Sequence, residues 1–568
     1  MTGSKLRFWL CDVTLILSIC LLLFFWRVGA TPFYDKQEAR EALVVWEINH
    51  TGNWILPLRN GDEIPAKPPL FHWLGALVSM SINRVDELTT RFPSALLATL
   101  GVLLTYLAGA TLWGRSAGLV SALVLSSSHE WLQAAVAARV DMTLTFVMLC
   151  AFLFFLYLYR TGGGRKKALI LGLLLGLATL AKGPLGFVVP CLTVLVFLWA
   201  RRDLPFLKKL HPLAVISAWF IVAGSWYAPA LWQGGKNFLL IVIRENFSTV
   251  LGQEAGHPHP FYWYILVLFQ NMAPWSFFLL SIGAFIYYRH RMAEEAVLYI
   301  VVWFGTVFIF FSAFTQKRTV YIAPLYPALA LLIGAWWQNL KDESLSSPPL
   351  FLARLAGYLN AVLFFLFSGM LFFQVINPDL IKHIYPFLRP KDQAQLQVVA
   401  NLFTEHRLAV LFWSALCGLG GIFLMLAVRK SAWGPIIGCT TALNVASLFF
   451  VQNFNLYVAR EYSFKSFTEH ALRVVDDAPL FFYRSGDYGV IFYAHRHIPQ
   501  YRQPLGGKEI PFYLLFWENE WKDTLDKEGL SLEYASESAD RQIPERGRLL
   551  LVRVKKAEAL GNNFESDP

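Results

Sequence analysis

The sequence predicts an all-α polytopic membrane protein with a small C-terminal α/β soluble domain. Three observations predict it. Of 568 residues, 56% are hydrophobic and only 15% charged, where soluble domains carry about 25%. Mean hydropathy is +0.46, and apolar runs of about 20 residues, the length of a bilayer-spanning helix, recur through the first 450 or so positions. Beyond residue 453 the chain becomes richer in charge and alternates helical with strand-like patterns. The expected division is a transmembrane domain over 1–453 and an extracytoplasmic domain over 454–568.

Taken in order, about thirteen apolar segments are expected. They lie near 8–29, 88–113, 117–129, 140–159, 167–180, 183–200, 212–232, 262–288, 296–314, 320–339, 353–374, 405–427 and 432–453. The first is not a secretory signal, because no small-residue cleavage site follows it and further spans do. With Lys5 and Arg7 inside, the clusters Arg160 to Lys167, Arg201 to Lys209, Arg289 to Arg291 and Arg429-Lys430 fall on the same side, as cytoplasmic loops should. Arg27 and the pair Lys317-Arg318 break that rule. In the tail, a helix is expected over 466–475 and strands over 480–482, 512–516 and 548–554.

The net charge of +10 sits in short clusters between apolar segments, which fits membrane topology and excludes a nucleic-acid partner. The six cysteines all fall in apolar segments without metal-ligand spacing and read as small buried hydrophobes.

The polar stretch from Phe33 to Leu74 is too long for a simple connection between spans, and chemistry is sought there first. Asp35, Glu38 and Glu41 follow the first span, with a helix expected from Ala39 to Ile48. A carboxylate there activates an acceptor, anchors a metal or faces water. Pro68-Pro69 excludes a helix across that pair, and Lys67 before it is placed where an ammonium meets a lipid phosphate or snorkels at the interface. Asp141, opening the fourth span after Arg139, pairs with that arginine, points at a site, or both. Lys182 in Ala-Lys-Gly-Pro marks a bend or a phosphate contact. Arg244, Lys317, Arg318 and Tyr321 complete a cationic set suited to a phosphate. His257 and His259 are the one place where a divalent ion is considered; His-x-His without a nearby partner is a weak metal signal.

The stretches QEAREALVVWEINHTGNWILP, AKPPLFHWLGAL, ARVDMTLTF, LAKGPLGFVVP, RENF with GHPHPFYWY, APWS and QKRTVYIAPLYPALALL occur in that order over about residues 8–340. Together they resemble the polyprenyl-phosphate-dependent glycosyltransferases of the GT-C fold, in their aminoarabinose-transferase-like branch related to protein O-mannosyltransferases (PMT). The resemblance implies an inverting transfer of a sugar from an undecaprenyl-phosphate carrier to lipid A or another cell-envelope acceptor, at the outer face of a bacterial inner membrane. The sugar would be aminoarabinose-like or another pentose or hexose. A protein acceptor is the same-fold alternative. It implies catalytic roles for Glu38 and Asp141, and phosphate contacts from Lys67, Arg244, Lys317 and Tyr321. Gln37 stands where the family has Asp, so Asp35 is a second candidate beside Glu38. Ala66 stands where aminoarabinose transferases have a Glu that helps hold zinc, so no metal cofactor is expected. The expected protein is a monomer with a cytoplasmic N-terminus. A lipid-linked sugar transporter or flippase is the rival class, but it predicts two similar halves, and no repeat is visible.

Overall fold

The computed structural model describes residues 3–251, 258–288, 294–341, 347–388, 390–501, 512–522, 531–538 and 547–555. Each expected apolar segment meets helix. Among the described residues, nine helices are long and apolar enough to cross a membrane. The 262–288 segment forms a further pair, Trp263–Asn271 and Trp275–Tyr288, bent by 113°. Arg115–Ser126 and Leu185–Ala200 are apolar but short, and Arg165–Lys182 carries Arg165, Lys166, Lys167 and Lys182 at its ends. The protein is therefore a multi-pass membrane protein.

Nine α-helices occupy the described part of the first 200 residues. They are α1 (Gly3–Cys20), α2 (Lys36–Thr51), α3 (Leu70–Ser81), α4 (Glu87–Trp113), α5 (Arg115–Ser126), α6 (His129–Ala135), α7 (Val140–Arg160), α8 (Arg165–Lys182) and α9 (Leu185–Ala200). The polar stretch after α1 is thus two helices. Asp35 caps α2, accepting a hydrogen bond from the Gln37 amide at 3.0 Å, and Gly52 ends it at φ 69°, a left-handed conformation that glycine adopts without strain. Pro69 leads directly into α3. Asp86 and Thr89 form a reciprocal capping box on α4, typically worth about 1 kcal/mol. Close crossing of α4 and α5 depends on Gly118, where an added Cβ would lie 2.4 Å from the Tyr106 carbonyl. Without a hydrophobic drive between helices in lipid, such small-residue contacts supply the packing.

The tail folds as a four-stranded sheet in the order β1-β2-β4-β3, where β1 is Leu480–Phe482, β2 Phe512–Trp517, β3 Ser531–Glu537 and β4 Leu549–Lys555. Strands β1 and β2 are parallel; the other pairs are antiparallel. Val475, Leu480, Leu515, Trp517 and Leu551 share one buried cluster with Leu43 and Trp46 of α2. The boundary expected at 453/454 falls inside the continuous helix Trp433–Tyr462. Polar residues such as Asn453 and Asn455 mark a change of surroundings for this helix without ending it, so the sheet-bearing unit begins after Tyr462.

That unit clamps the start of the first loop. Tyr493 Oη accepts from the Phe33 amide at 2.6 Å and donates to Glu87 at 3.0 Å. Ser463 donates to the Phe33 carbonyl at 2.8 Å. Asn60 and Ile498 exchange hydrogen bonds at 2.9 and 2.8 Å, and His497 meets buried Glu47 at 2.8 Å.

Candidate active site

A cavity of about 340 Å³ opens where the chain leaves α1, bounded by the start of α2, by α6 and by the start of α7. Its walls include Arg27, Asp35, Glu38, Arg91, Glu130, Arg139, Asp141, Asn271 and Thr319. Four carboxylates therefore face one space, and three of them are expected from the sequence.

The expected carboxylates are all held by cations. Asp35 pairs with Arg139 while also capping α2. Glu38, 6% exposed, takes a bidentate grip from Arg91 at 2.8 and 2.9 Å and a third bond from the Ala138 amide at 2.8 Å. Arg91 also donates to the Val28 and Thr31 carbonyls at 2.9 and 2.5 Å. Glu38 is thus enclosed by three hydrogen bonds while still lining the cavity. Asp141 pairs with Lys182, whose ammonium lies 4.4 Å from the Tyr321 ring centroid.

A chain of alternating charges runs on from there. Lys67 pairs with Glu245 and lies close enough for its charge to act on Asp141. Arg40 and His72 flank Glu41 at 2.8 Å each. Burial would push the Glu41 carboxyl up, but the His72 hydrogen bond and the Arg40 charge hold it well below the usual carboxylate range.

Arg139 differs from the other cations. One terminal nitrogen serves Asp35, yet its buried Nε has no hydrogen-bond partner. Burial pushes its guanidinium below the ordinary value, with the nearby positive charge of Arg318 adding to the effect and Asp141 opposing it. A buried guanidinium donor without an acceptor is costly, and an anion in the cavity would satisfy it.

The description "Dolichyl-phosphate-mannose-protein mannosyltransferase" belongs to a family model that matches residues 66–227. An uncharacterized protein of Aquifex aeolicus is 30% identical over 365 residues, covering 63% of this chain and 71% of that protein. The undecaprenyl phosphate-alpha-4-amino-4-deoxy-L-arabinose arabinosyl transferase of Edwardsiella ictaluri is 27% identical, over 55% of this chain and 56% of that one. In fold, the chain is similar to ArnT from Cupriavidus metallidurans bound to undecaprenyl phosphate, with a TM-score of 0.76 and 18% identity over 95% of this chain and 97% of that chain. The chain belongs to the aminoarabinose-transferase-like glycosyltransferases of the GT-C fold.

Within this glycosyltransferase the expected phosphate contacts scatter. None of Lys67, Lys182, Arg244, Lys317, Arg318 and Tyr321 lines the cavity itself. Lys182 and Tyr321 lie behind Asp141, and Lys67 one pair further. Arg318 is exposed beside the cavity, its charge felt by Arg139. Lys317, expected at an outer mouth, is instead 2% exposed, and its ammonium donates to the carbonyls of His259, at 3.0 Å, and Phe314. Two of its three ammonium hydrogens are therefore directed at main-chain carbonyls. Arg244 is exposed at the far end of its long helix, next to Glu245.

His257 lies outside the described residues, and the His259 ring stacks on Trp263 at 4.1 Å. Among the described residues no group of three or more metal-ligating side chains gathers. The cavity residues that sequence reasoning missed are Arg91, Glu130 and Asn271; Arg27 stood out only as an exception to the charge rule. Glu130 carried a usable signal, an ionisable residue shortly after the apolar run from Ala117 to Leu125.

Proposed function

We propose that this glycosyltransferase moves a sugar from an undecaprenyl-phosphate carrier to lipid A or another cell-envelope acceptor, with inversion at the anomeric carbon. The observation that carries this reading is Arg139, a cavity-wall guanidinium with an orphaned buried Nε. A phosphodiester placed there gives that donor its acceptor. Arg318 adds a second positive charge at the rim, and Lys182, behind Asp141, offsets the charge of that carboxylate. As the bond from sugar to phosphate breaks, charge gathers on the departing phosphate, and fixed cations at the cavity stabilise it there. Asp35 and Asp141 hold Arg139 and Lys182 in place for that task, and Glu38 with Arg91 fixes the floor.

The names of the arabinosyl transferase relatives support an undecaprenyl carrier and an aminoarabinose-like sugar. The family description favours a second reading, a protein hydroxyl as acceptor. The basic clusters between spans support a cytoplasmic N-terminus in an inner membrane, with the cavity and the sheet-bearing unit on the opposite face.

The test uses purified full-length enzyme in nanodiscs, with undecaprenyl phosphate 4-amino-4-deoxy-L-arabinose as donor. Arg139→Gln should raise the donor KM by about 10- to 100-fold, the range set by losing a charge-assisted hydrogen bond of about 1.5–3 kcal/mol. Wild-type enzyme that releases no undecaprenyl phosphate would overturn the reading.

A further inference from the structure

Three of the four carboxylates on the cavity wall are bound to cations, and the fourth is not. Arg139 holds Asp35, Arg91 holds Glu38 and Lys182 holds Asp141. Glu130 is 3% exposed, and among the described residues no cation pairs with it. Its Oε2 accepts from Asn271 Nδ2 at 2.7 Å, and the Thr319 hydroxyl is its other polar partner. The remaining titratable groups around it are His129 on its own helix, Asp141 of α7, and the phenols of Tyr264 and Tyr326, which lie close enough to feel its charge. Burial keeps His129 below its ordinary value. Arg27, Arg91 and Arg139 share the cavity wall and Arg318 lies beside it, but among the described residues none of them pairs with this carboxylate.

A carboxylate gripped by a guanidinium or ammonium has oxygens already committed to a cation. One held only by an amide and a hydroxyl, in a buried wall, keeps its proton affinity. We infer that Glu130 is the general base of the transfer and that the acceptor therefore presents a hydroxyl group to the cavity, not a phosphate. The inference rests on the glycosyl transfer proposed above. In the step, the acceptor oxygen bonds to the anomeric carbon, and its proton passes to the Glu130 carboxylate. The bond from that carbon to the phosphate oxygen breaks with its electron pair, leaving the carrier as a phosphate monoester. Water then takes the proton from Glu130. An acceptor phosphate, already anionic, has no such proton to give.

The electrostatics suit the role. Burial pushes the Glu130 carboxyl up to about 7, opposed by the Thr319 hydrogen bond, assisted by the charge of Asp141 and opposed again by Asn271. A base is most effective when it titrates near the working pH.

The experiment compares two acceptors, lipid A and lipid A stripped of its phosphates, using the nanodisc enzyme and the same aminoarabinose donor. Wild type should glycosylate the stripped acceptor, and its kcat/KM should fall on the acid side with a midpoint near 7. Glu130→Gln should lower kcat by about 100-fold or more, abolish the acid limb and leave the donor KM within a few fold. Asn271→Leu keeps the carboxylate but removes a donor that stabilises its charge, so the acid limb should move to higher pH. A Glu130→Gln enzyme within threefold of wild type with its acid limb intact overturns the inference. So does product that forms only on phosphorylated lipid A; either result leaves the proposed function standing. Failure of wild type on both acceptors overturns the proposed function and the base assignment together.

Discussion

Replacing Arg91 with Met tests whether Glu38 is an anchor or a base. The arginine makes two bonds to Glu38 at 2.8 and 2.9 Å and two to the carbonyls of Val28 and Thr31. Both partners of the pair are nearly inaccessible, with side-chain exposures of 3% and 9%. Methionine fills much of the volume and strands the carboxylate with only the Ala138 amide. Breaking one side of a buried pair costs about 3–5 kcal/mol, because an uncompensated charge is left behind, whereas replacing both sides by apolar groups is often close to neutral. Arg91→Met should therefore destabilise by about that amount in equilibrium unfolding from mixed micelles. Arg91→Met with Glu38→Leu should recover most of it, giving a coupling energy well above 1 kcal/mol. Glu38→Gln should keep the folded enzyme within about tenfold of wild-type kcat, with the acid limb of its pH profile in place. A loss under about 1 kcal/mol for Arg91→Met, or an acid limb that vanishes in Glu38→Gln, would refute this reasoning and return Glu38 to the chemistry.

Lys317→Met should cost about 1–3 kcal/mol by freeing two carbonyls and leave the donor KM unchanged; a raised KM would restore Lys317 to the phosphate site. Tyr493→Phe removes the acceptor of the Phe33 amide, so hydrogen exchange near residue 33 should quicken by about fivefold, matching a net hydrogen bond of about 1 kcal/mol; unchanged exchange would show that the clamp does not order this segment. Stability should also fall in acid through Glu41. Its carboxyl is held below the usual range in the folded state, so this contribution is complete above the unfolded value of about 4.3 and is lost as pH falls through the folded value. Glu41→Gln should flatten that dependence, as read by unfolding at stepped pH.

What could be read in the sequence followed the length scale of the signal. Apolar runs report a solvent, and each became helix where expected, including the short ones. Strand β1 and the helix ending at Val475 were equally legible, because period and burial agree there. Pairing was not. Asp141 was expected to pair with Arg139 or to point at a site. It lines the cavity, but its partner is Lys182, 41 residues on, while Arg139 went to Asp35, 104 residues back. Charge signs along a chain say that cations and anions will neutralise one another, but only the packing of α4, α6, α7 and α8 decides which ones meet. Glu38 looked available because Arg91 lies in another helix, 53 residues away. The same gap hid Glu130, whose distinction is the absence of a cation, a property of the surroundings that no local motif carries.

The contacts of Tyr493 and Ser463 with the Phe33 backbone join residues 460 and 430 positions apart. Chains are made from the N-terminus at about 5–20 residues per second, so the first loop leaves the ribosome well before the residues that will clamp it. In the interval Glu47 has no His497, Asn60 has no Ile498, and the apolar side of α2 carrying Leu43 and Trp46 is uncovered. Assembly of the reaction chamber then becomes a late event in the protein's birth. A chain stopped early by a nonsense codon would insert its helices, yet it would hold the segment that opens the cavity by one edge only and squander no donor.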